Sequence, residues 1–471
     1  MLIALGIVVL AVALLASLPY WLPQRVVRLR SRVFAAVNGD EGISVPGPLI
    51  GVEDFLRAYA DPAAGGRSRG AALSDLFWYW LAPGPHVHQE HLEAGPRYDE
   101  VARTTRRILV KPKGQSEELT ARVAAHVLDQ IDAPVATLVR LRDAMMPIWA
   151  ELYYELVFNE PCPPDARELI VANANDVVTA LKCNGLRHMG KRGRLTDYLH
   201  RRIVEGTVPH QLPGTLSTME QAYYLQGTFF NTAVVQMSEG MAHLLLAIAE
   251  HPEVQSRLVE NPDDSDYLDA VIDESLRTYP LFGIAHRILT ADVELPDQTV
   301  SAGSVLCFSY PDFHQQGYPH PTEFRPERWG GIAAKDVNFI PFGVTANRPC
   351  PARGLAPVTM RVVTRAVLDR FELASSVAHT RSLPNRGPAL FIRRTRPLGA
   401  ARRRGTLLFL RVRDRWEDVY RGVVQLIFGS YMVWDARRKR LCQNYFAEHD
   451  ATPAPAPAPS GCPVDHGTRT S

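Results

Sequence analysis

The most apolar stretch of the chain lies at its amino terminus. Residues 2–22, LIALGIVVLAVALLASLPYWL, carry no charged side chain, and about 20 such residues are enough to cross a hydrocarbon core as a helix. Arginines follow at positions 25, 28, 30 and 32. Because basic flanks stay on the cytoplasmic side, the pattern predicts a single-pass membrane anchor with the rest of the chain in the cytoplasm. A cleaved signal peptide is the alternative, but no basic segment precedes the apolar run.

Helical spacing dominates the middle of the chain. Between about residues 97 and 280, apolar positions recur every three or four residues, as in amphipathic helices. The longest run extends from Ser217 to Glu250 and is apolar on nearly every side in its middle, which predicts a long buried helix. Residues 285–310 instead show short alternating runs with turn residues, typical of a small sheet. The predicted class is mainly α with a small β part.

The same pattern divides the chain into segments. We predict a transmembrane anchor at 1–24, a basic linker at 25–43, a globular body at 44–400, a helical extension at 401–450 and a disordered Pro/Ala tail at 451–471. The extension could contact a partner or a membrane. Packing against the body as an ordinary helix is the interpretation that we favour.

Composition narrows the classes of function. Of 471 residues, 46% are hydrophobic and 22% charged, as in globular proteins. The formal net charge of +2 argues against a dedicated nucleic-acid binder. Six cysteines are scattered without a CxxC pair, which favours a reducing compartment over a disulfide scaffold.

One cysteine lies in an unusual segment. Cys350 lies in FIPFGVTANRPCPARGLA, two residues after Arg348 and shortly before a predicted helix. A sulfur at a helix start is expected to have a lowered thiol pKa, which favours a nucleophile or a metal ligand. No zinc-type ligand pattern or protease-type His–Asn pair is evident nearby. Burial as a small hydrophobic side chain is the alternative.

This segment resembles the haem loop FGxGxRxCxGxxLA of the cytochrome P-450 family. It matches that loop at Phe342, Gly343, Arg348, Cys350, Leu355 and Ala356. Upstream, DESLRTYP resembles the family's ExxR motif and FRPERW its PERF-like motif. The three motifs follow one another in the family's order, and the resemblance covers about residues 40–398. It implies the cytochrome P-450 fold, with a long central helix and haem between that helix and the cysteine loop.

The resemblance also implies roles for individual residues. Cys350 would be the axial thiolate ligand of heme b, with Phe342 beside the cofactor. Arg348 and Arg287 would pair with its propionates. Arg107, one of three arginines in VARTTRRIL with positions 103 and 106, is our candidate for a further propionate partner. A solvated basic face that docks an acidic electron donor is the alternative for this segment.

The other two motifs imply a structural network. Glu274 and Arg277 of ExxR are three residues apart, which places them on one helix face. In the family, these two residues join the arginine of the PERF-like motif, here Arg328. Because buried charges persist only when they are paired, we expect the three side chains to brace the cysteine loop.

The chain departs from the family pattern in the loop. One additional residue lies between Phe342 and Cys350, and Ala352 replaces the glycine that usually follows the cysteine. These changes are expected to alter the shape of the loop.

A larger departure lies in the central helix. Counting back from HPEVQ places the family's acid–alcohol pair, which relays protons, on Val235 and Gln236. Neither side chain can relay protons in the same way, although Gln236 remains the candidate catalytic residue there. Nearby polar residues could substitute, but local hydrogen bonds are the simpler explanation of each: Asn231, Thr232 and Ser238. Glu239 and His243 are predicted to be a helix-surface pair rather than a metal site.

The resemblance implies an O2-dependent monooxygenase that hydroxylates or epoxidises a lipophilic small molecule. A separate ferredoxin or flavin reductase would supply electrons, since no flavin or iron–sulfur motif is evident. Loss of the acid–alcohol pair leaves open a haem-thiolate enzyme that uses peroxide, or an isomerase or dehydratase. A non-catalytic haem-binding scaffold is the third hypothesis.

Overall fold

The computed structural model describes residues 2–38, 42–296 and 298–451. Its helices are α1 (Leu2–Asn38), α2 (Phe55–Ala60), α3 (Ala72–Leu81), α4 (Pro96–Leu109), α5 (Lys113–Asp129), α6 (Leu141–Phe158), α7 (Pro164–Leu181), α8 (Met189–Val204), α9 (Thr218–Leu225), α10 (Val234–Glu250), α11 (Pro252–Glu260), α12 (Ser265–Thr278), α13 (Tyr310–His314), α14 (Ala356–Arg370), α15 (Ala400–Lys439) and α16 (Leu441–Ala451). Its strands are β1 (Ile43–Val45), β2 (Ala136–Arg140), β3 (Ile284–Ile288), β4 (Val293–Leu295), β5 (Gln298–Val300), β6 (Val305–Ser309), β7 (Phe371–Ala374) and β8 (Pro388–Arg393). The prediction of a mainly α chain with a small β part is confirmed.

The central helix is continuous from α9 to α10 through a π-helical turn, Gln226–Ala233. Its start is fixed by a capping box, in which Ser217 Oγ accepts from the Glu220 N–H and Glu220 Oε2 accepts from the Ser217 N–H. Nearly all of α10 is buried, as its apolar sequence predicts. A π-helical turn holds an extra residue and is frequent at functional sites.

Small sheets lie around this helical core. Strand β6 pairs in parallel with β1 and antiparallel with β3, so that Arg287 lies opposite Leu306. Strand β8 pairs antiparallel with both β2 and β7, and β4 pairs with β5 as a hairpin. Four of these strands lie within residues 284–309, where alternation predicted a sheet. The largest apolar cluster surrounds α6 and α10, and α5 packs on α14.

The two ends of the described chain lie side by side. Helix α1 continues through residues 25–38, which were predicted as a linker, and its second half runs parallel to α15. Arg30 donates to Gln425 Oε1 at 2.6 Å, and Arg415 donates to the Tyr20 hydroxyl at 2.8 Å. The turns before Ser17 are exposed. The predicted tail lies outside the described residues from position 452 onward.

Among the described residues, two helical stretches are long and apolar enough to cross a membrane. The most apolar part of Ile3–Arg30 is exposed, and a signal sequence near an amino terminus meets the same criteria of length and composition. Thr218–Glu250 is the central helix and is mostly buried in the body. Burial of the central helix therefore leaves α1 as a candidate anchor or signal sequence.

The turn that follows α3 depends on Gly84, whose φ is +74°. A Cβ at this position would lie 2.3 Å from the Tyr223 Cβ. We expect Gly84→Ala to lower the free energy of unfolding by about 3 kcal/mol, because left-handed strain adds to steric overlap. Urea denaturation would measure this loss.

Gly206→Ala is the matched control, because Gly206 has a φ of +68° with no atom within 4 Å of its Cβ position. It should cost only the strain, about 1–2 kcal/mol. Equal losses for the two variants would show that this turn does not approach Tyr223 as closely as described.

Candidate active site

A mostly apolar cavity of about 250 Å³ lies between the central helix and the loop that contains Cys350. Cys350 and Phe342 line it from the loop, and Val235 and Gln236 from the central helix. Arg287 reaches it from β3. Residues from three segments that are far apart in the sequence therefore line one cavity.

The cysteine loop is shaped by its own backbone. Gly343 has a φ of +76°, which favours glycine, and Arg348 lies in the same left-handed region at +53°. The Cys350 N–H donates to the Phe342 carbonyl oxygen at 2.9 Å and closes the loop. The helix α14 begins at Ala356, soon after the cysteine, as predicted.

Asn347 explains how the loop holds its additional residue. Its side chain is buried and donates to the carbonyl oxygens of Tyr59 and Ala64 at 2.7 and 2.9 Å. Its Oδ1 accepts from Arg67 at 2.7 Å. The longer loop is therefore tied to the segment around α2. No local sequence pattern predicts this role, because the hydrogen-bond partners of Asn347 lie about 280 residues away.

The prediction of a lowered thiol pKa is wrong for the protein without metal. Burial of Cys350 raises the pKa of its thiol to about 11, and a hydrogen bond from the Ala352 backbone and the charge of Arg353 offset this only in part. The physical reason is that burial penalises the thiolate more than the nearby N–H groups stabilise it. A metal bound to the sulfur would have to displace the thiol proton.

Arg287 and Arg348, which were predicted as propionate partners, both line the cavity. Arg287 donates to the Tyr59 hydroxyl at 2.6 Å and to the His286 carbonyl oxygen at 2.7 Å, while its buried Nε has no partner among the described residues. Arg348 donates to the Leu92 carbonyl oxygen, and its guanidinium lies 3.7 Å from the centre of the Tyr98 ring. The buried free N–H of Arg287 fits an anionic group in the cavity.

Arg107 does not belong to this group, and its assignment as a cofactor partner is corrected. The side chain is exposed and donates to the Gln211 carbonyl oxygen. It lies on the solvent face of α4, outside the cavity lining. Its neighbour Arg106 instead lines a basic concavity on another side of Cys350, together with Lys111, Lys113 and Arg353.

Glu274 is the centre of a buried ion network. Its side chain is fully buried and accepts two hydrogen bonds from Arg277, at 2.9 and 2.8 Å. Arg328 donates to the same carboxylate at 3.0 Å, and Trp329 Nε1 donates at 3.1 Å. The three predicted charged residues are therefore in contact. The hydrogen bond from Trp329 to this carboxylate was not predicted.

Trp329 and His314 connect this network to the cysteine loop. The Trp329 ring packs on the Phe339 ring with centroids 4.7 Å apart. Buried His314 accepts from the Ile340 N–H through Nε2 at 3.0 Å, and burial lowers its pKa to about 4, which keeps the ring neutral. Phe339 and Ile340 begin the loop, so the network fixes the point at which the loop starts.

The polar residues of the central helix have different partners. Ser238 donates to the Val234 carbonyl oxygen at 2.6 Å, a local bond within the helix. Asn231 bonds to Asn173 on α7. Thr232 Oγ1 lies 2.5 Å from His88 Nε2, and both residues line the cavity. Local bonding, the simpler explanation, therefore holds for Ser238 and fails for Thr232.

His88 is a functional candidate that the sequence analysis missed. Burial lowers the pKa of its imidazole to about 4, so the ring is neutral at neutral pH. It lies against Gly227 of the π-helical turn, where a Cβ would be 3.2 Å from the imidazole Cδ2. The glycine and the polar threonine were the available signals, but His88 precedes them by 139 residues or more.

The prediction that Glu239 and His243 form a helix-surface pair is wrong. Both side chains are buried. Glu239 pairs with Arg142 at 3.0 Å and with Lys182, whereas His243 contacts His379 at 3.0 Å. Within the described part of the chain, no group of three or more His, Cys, Asp or Glu residues could hold a metal ion.

Comparison with known proteins agrees with this geometry. The family model of cytochrome P-450 matches residues 210–398, a stretch that includes the central helix, the Glu274 network and the cysteine loop. Over this stretch the chain is similar to the cytochrome P-450 family. Proteins of this family are haem-thiolate proteins with a cysteine axial ligand.

Curated relatives match the chain over part of their length. A protein of Mycobacterium tuberculosis named as cytochrome P-450 135B1 is 32% identical over 179 residues, which is 34% of this chain and 38% of that protein. The cyclooctat-9-en-7-ol 5-monooxygenase of Streptomyces melanosporofaciens is 29% identical over 31% of this chain and 36% of that enzyme. The match thus spans less than half of either relative.

Solved structures share the fold over a longer stretch. A mutant of cytochrome P-450SP alpha has a TM-score of 0.60 at 16% identity, covering 73% of this chain and 88% of that one. A six-coordinate cytochrome P-450 from Thermus thermophilus has a TM-score of 0.55 at 19% identity, covering 75% and 99%. At this identity the likeness shows the fold, which is the cytochrome P-450 fold.

Removal of the central carboxylate should destabilise the body. In Glu274→Gln, two buried guanidinium groups face a neutral amide, so we expect the free energy of unfolding to fall by about 3 kcal/mol or more. The denaturant midpoint would measure the loss.

Asp129→Asn is the matched control, since Asp129 is 65% exposed and its pair with Arg370 is screened by water. It should cost about 1 kcal/mol or less. A loss as small for Glu274→Gln would mean that the network does not brace the fold.

Proposed function

We propose that the protein is a haem-thiolate monooxygenase that hydroxylates or epoxidises a lipophilic small molecule. The observation that carries this proposal is the position of Cys350, which shares a mostly apolar cavity with the π-helical turn of the central helix. The match to the family model over residues 210–398 supports the reaction type, and one relative is named as a monooxygenase.

The residues at the cavity fit heme b. Cys350 would supply the axial thiolate, and Phe342 with the other apolar side chains would contact the macrocycle. Arg287, with its free buried Nε, and Arg348 would hold the propionates. When bound, a thiolate-ligated haem supplies activation of molecular oxygen, because the thiolate pushes electron density that favours O–O cleavage.

The residues of this chain must also deliver protons, and Val235 and Gln236 cannot do so as an acid–alcohol pair does. We propose that His88 and Thr232 take this role. His88 Nδ1 accepts from the Glu90 N–H at 3.2 Å, so the neutral imidazole carries its proton on Nε2 and donates to Thr232 Oγ1, 2.5 Å away. The threonine hydroxyl is then free to donate its own proton into the cavity. Gln236 lines the same wall and can orient a substrate or a water molecule by hydrogen bonding.

The cavity walls favour an apolar substrate. Phe77 and Leu81 of α3, Val177 and Leu181 of α7, and Phe229 of the π-helical turn line it. Such a surface binds ligands by removing apolar area from water. A lipophilic small molecule therefore fits the site better than a charged one.

Electrons would come from a separate ferredoxin or flavin reductase. The basic concavity of Arg106, Lys111, Lys113 and Arg353 lies beside Cys350. It suits an acidic protein surface, because opposite charge steers association and orients the partners. The short path from this surface to the sulfur supports docking at this concavity.

We propose that α1 tethers the enzyme to a membrane. Its first turns are apolar and exposed, with Leu10 70% and Leu14 63% accessible. A lipid environment would remove this surface from water. The basic residues that follow would keep the catalytic body on the cytoplasmic side.

Loss of the acid–alcohol pair supports one alternative, a haem-thiolate enzyme driven by peroxide. Peroxide brings its own protons and electrons, so such an enzyme would not depend on the relay at Thr232. The contact between His88 and Thr232 favours the electron-driven reaction.

The role of the Cys350 sulfur as the haem ligand can be tested by absorption spectroscopy. The reduced, carbon-monoxide-treated protein should show the strongly red-shifted Soret band of a haem-thiolate, and Cys350→Ser should lose it while Cys162→Ser keeps it. An absorption spectrum measures this. A haem band of the histidine type in the wild-type protein, unaffected by Cys350→Ser, would contradict the monooxygenase proposal. The non-catalytic haem-binding scaffold would then be favoured.

A second prediction tests the proton relay. In Thr232→Val and His88→Phe, the product formed per electron pair consumed should fall about tenfold or more, since a positioned proton donor contributes at least this much. Product and released hydrogen peroxide would be measured together with a screened apolar substrate.

Thr228→Val is the matched control, because Thr228 lines the cavity one turn earlier and its buried hydroxyl has no partner among the described residues. It should keep its coupling within about twofold. Turnover that runs only on added peroxide, and equally in all variants, would favour the alternative.

A further inference from the structure

The carboxyl-terminal extension is in contact with a wall of the cavity. Helix α3 lies between the two, because Phe77 and Leu81 line the cavity while Leu76, Tyr79 and Trp80 pack in a cluster with α15. The α15 members of that cluster are Met432, Val433 and Ala436, all buried. One short helix therefore connects the extension to the substrate space.

A buried hydrogen bond fixes the outer face of α3. The Tyr79 hydroxyl donates to Asp435 Oδ2 of α15 at 2.8 Å, and both residues are only 3% exposed. Lys439, one turn along α15, pairs with the same carboxylate at 2.9 Å. The guanidinium of Arg187 lies 3.3 Å from the centre of the Tyr79 ring. The tyrosine is thus held on its ring and at its hydroxyl.

A second contact lies one turn earlier on α3. Asp75 is buried, and its Oδ1 accepts from the backbone N–H groups of Cys442 and Gln443 at 2.8 and 3.2 Å. These are free N–H groups at the start of α16, so the carboxylate caps that helix. Further along α16, the Tyr445 ring lies 5.3 Å from Trp78 of α3.

These contacts include buried carboxylates, which a simple apolar covering of α3 would not require. An extension that merely covers apolar surface needs no buried carboxylate, because burying a charge is costly unless it is well paired. Here two carboxylates, one on each partner, meet a hydroxyl and two backbone N–H groups with defined geometry. Such contacts fix the position of α3 more narrowly than apolar packing alone would.

We propose that α15 and α16 form a clasp on α3, defined by the Tyr79–Asp435 bond and the Asp75 cap, that positions Phe77 and Leu81 against the substrate. The proposal deepens the proposed function and rests on it for the identity of the site. Asp75, Tyr79 and Asp435 are positioning residues, since they act through α3. They favour bulky apolar substrates that reach this wall, because a preformed wall lowers the ordering cost of binding.

The test uses the full-length protein and two readouts. Hydrogen exchange of the α3 amides reports the clasp whether or not haem is bound. The ratio of affinities for 4-phenylimidazole and imidazole, read from the Soret shift, reports whether the wall contacts a bulky ligand. The variants are Tyr79→Phe and Asp435→Ala, with Asp435→Asn as the conservative variant that keeps an acceptor oxygen.

We expect Tyr79→Phe and Asp435→Ala to speed exchange in α3 about two- to tenfold, as loss of one buried hydrogen bond implies. The affinity for 4-phenylimidazole should weaken by a similar factor, with imidazole changed less than about twofold. Asp435→Asn should restore most of both values. Glu417→Gln, which weakens a contact of α15 with Arg140 far from α3, should change neither.

The outcomes separate the proposals. Unchanged α3 exchange in Tyr79→Phe and Asp435→Ala would overturn the clasp. Faster exchange with an unchanged affinity ratio would overturn the positioning role while leaving a structural one. A wild-type protein without a thiolate-type haem spectrum would instead overturn the proposed function, and the exchange measurement would still decide the clasp.

Discussion

The carboxylate of Glu274 is the point on which the site depends. It has no solvent exposure, and two guanidinium groups, an indole N–H and a backbone N–H donate to it. A buried carboxylate is tolerated only with such a complete set of partners. Those partners hold the segment after α13, and through Trp329 and His314 they hold the start of the cysteine loop. The sulfur of Cys350 is therefore placed by a charge network rather than by the loop alone.

The parts of the structure that the sequence predicted are those encoded by local patterns. The central helix has apolar residues on every side, and its capping residues Ser217 and Glu220 lie three positions apart, so both its type and its start could be read. The motifs around Glu274, Arg328 and Cys350 were readable for the same reason. Each motif is a short segment whose spacing places side chains on one helix face or in one loop.

The errors and omissions concern contacts between distant segments. Spacing alone could not tell that Arg107 of α4 faces solvent and not the cavity. It could not show that burial would outweigh the helix start in setting the thiol pKa of Cys350. His88, Asn347 and the α3 contacts of the extension join residues that are 144 to 368 positions apart, and no local pattern predicts such pairs.

The pairing of α1 with α15 has a consequence for the order in which the molecule is made. Val26 of α1 is covered, and it lies beside Gly422, where a Cβ would be 3.6 Å from the valine side chain. A ribosome synthesises α1 first and α15 nearly 400 residues later. The second half of α1 therefore lacks the helix that packs against it until most of the chain has been made. Shortened forms of the protein therefore differ according to where they are cut. Removal of residues before Ser17 deletes only exposed turns, whereas removal of all of α1 strips α15 of its neighbour.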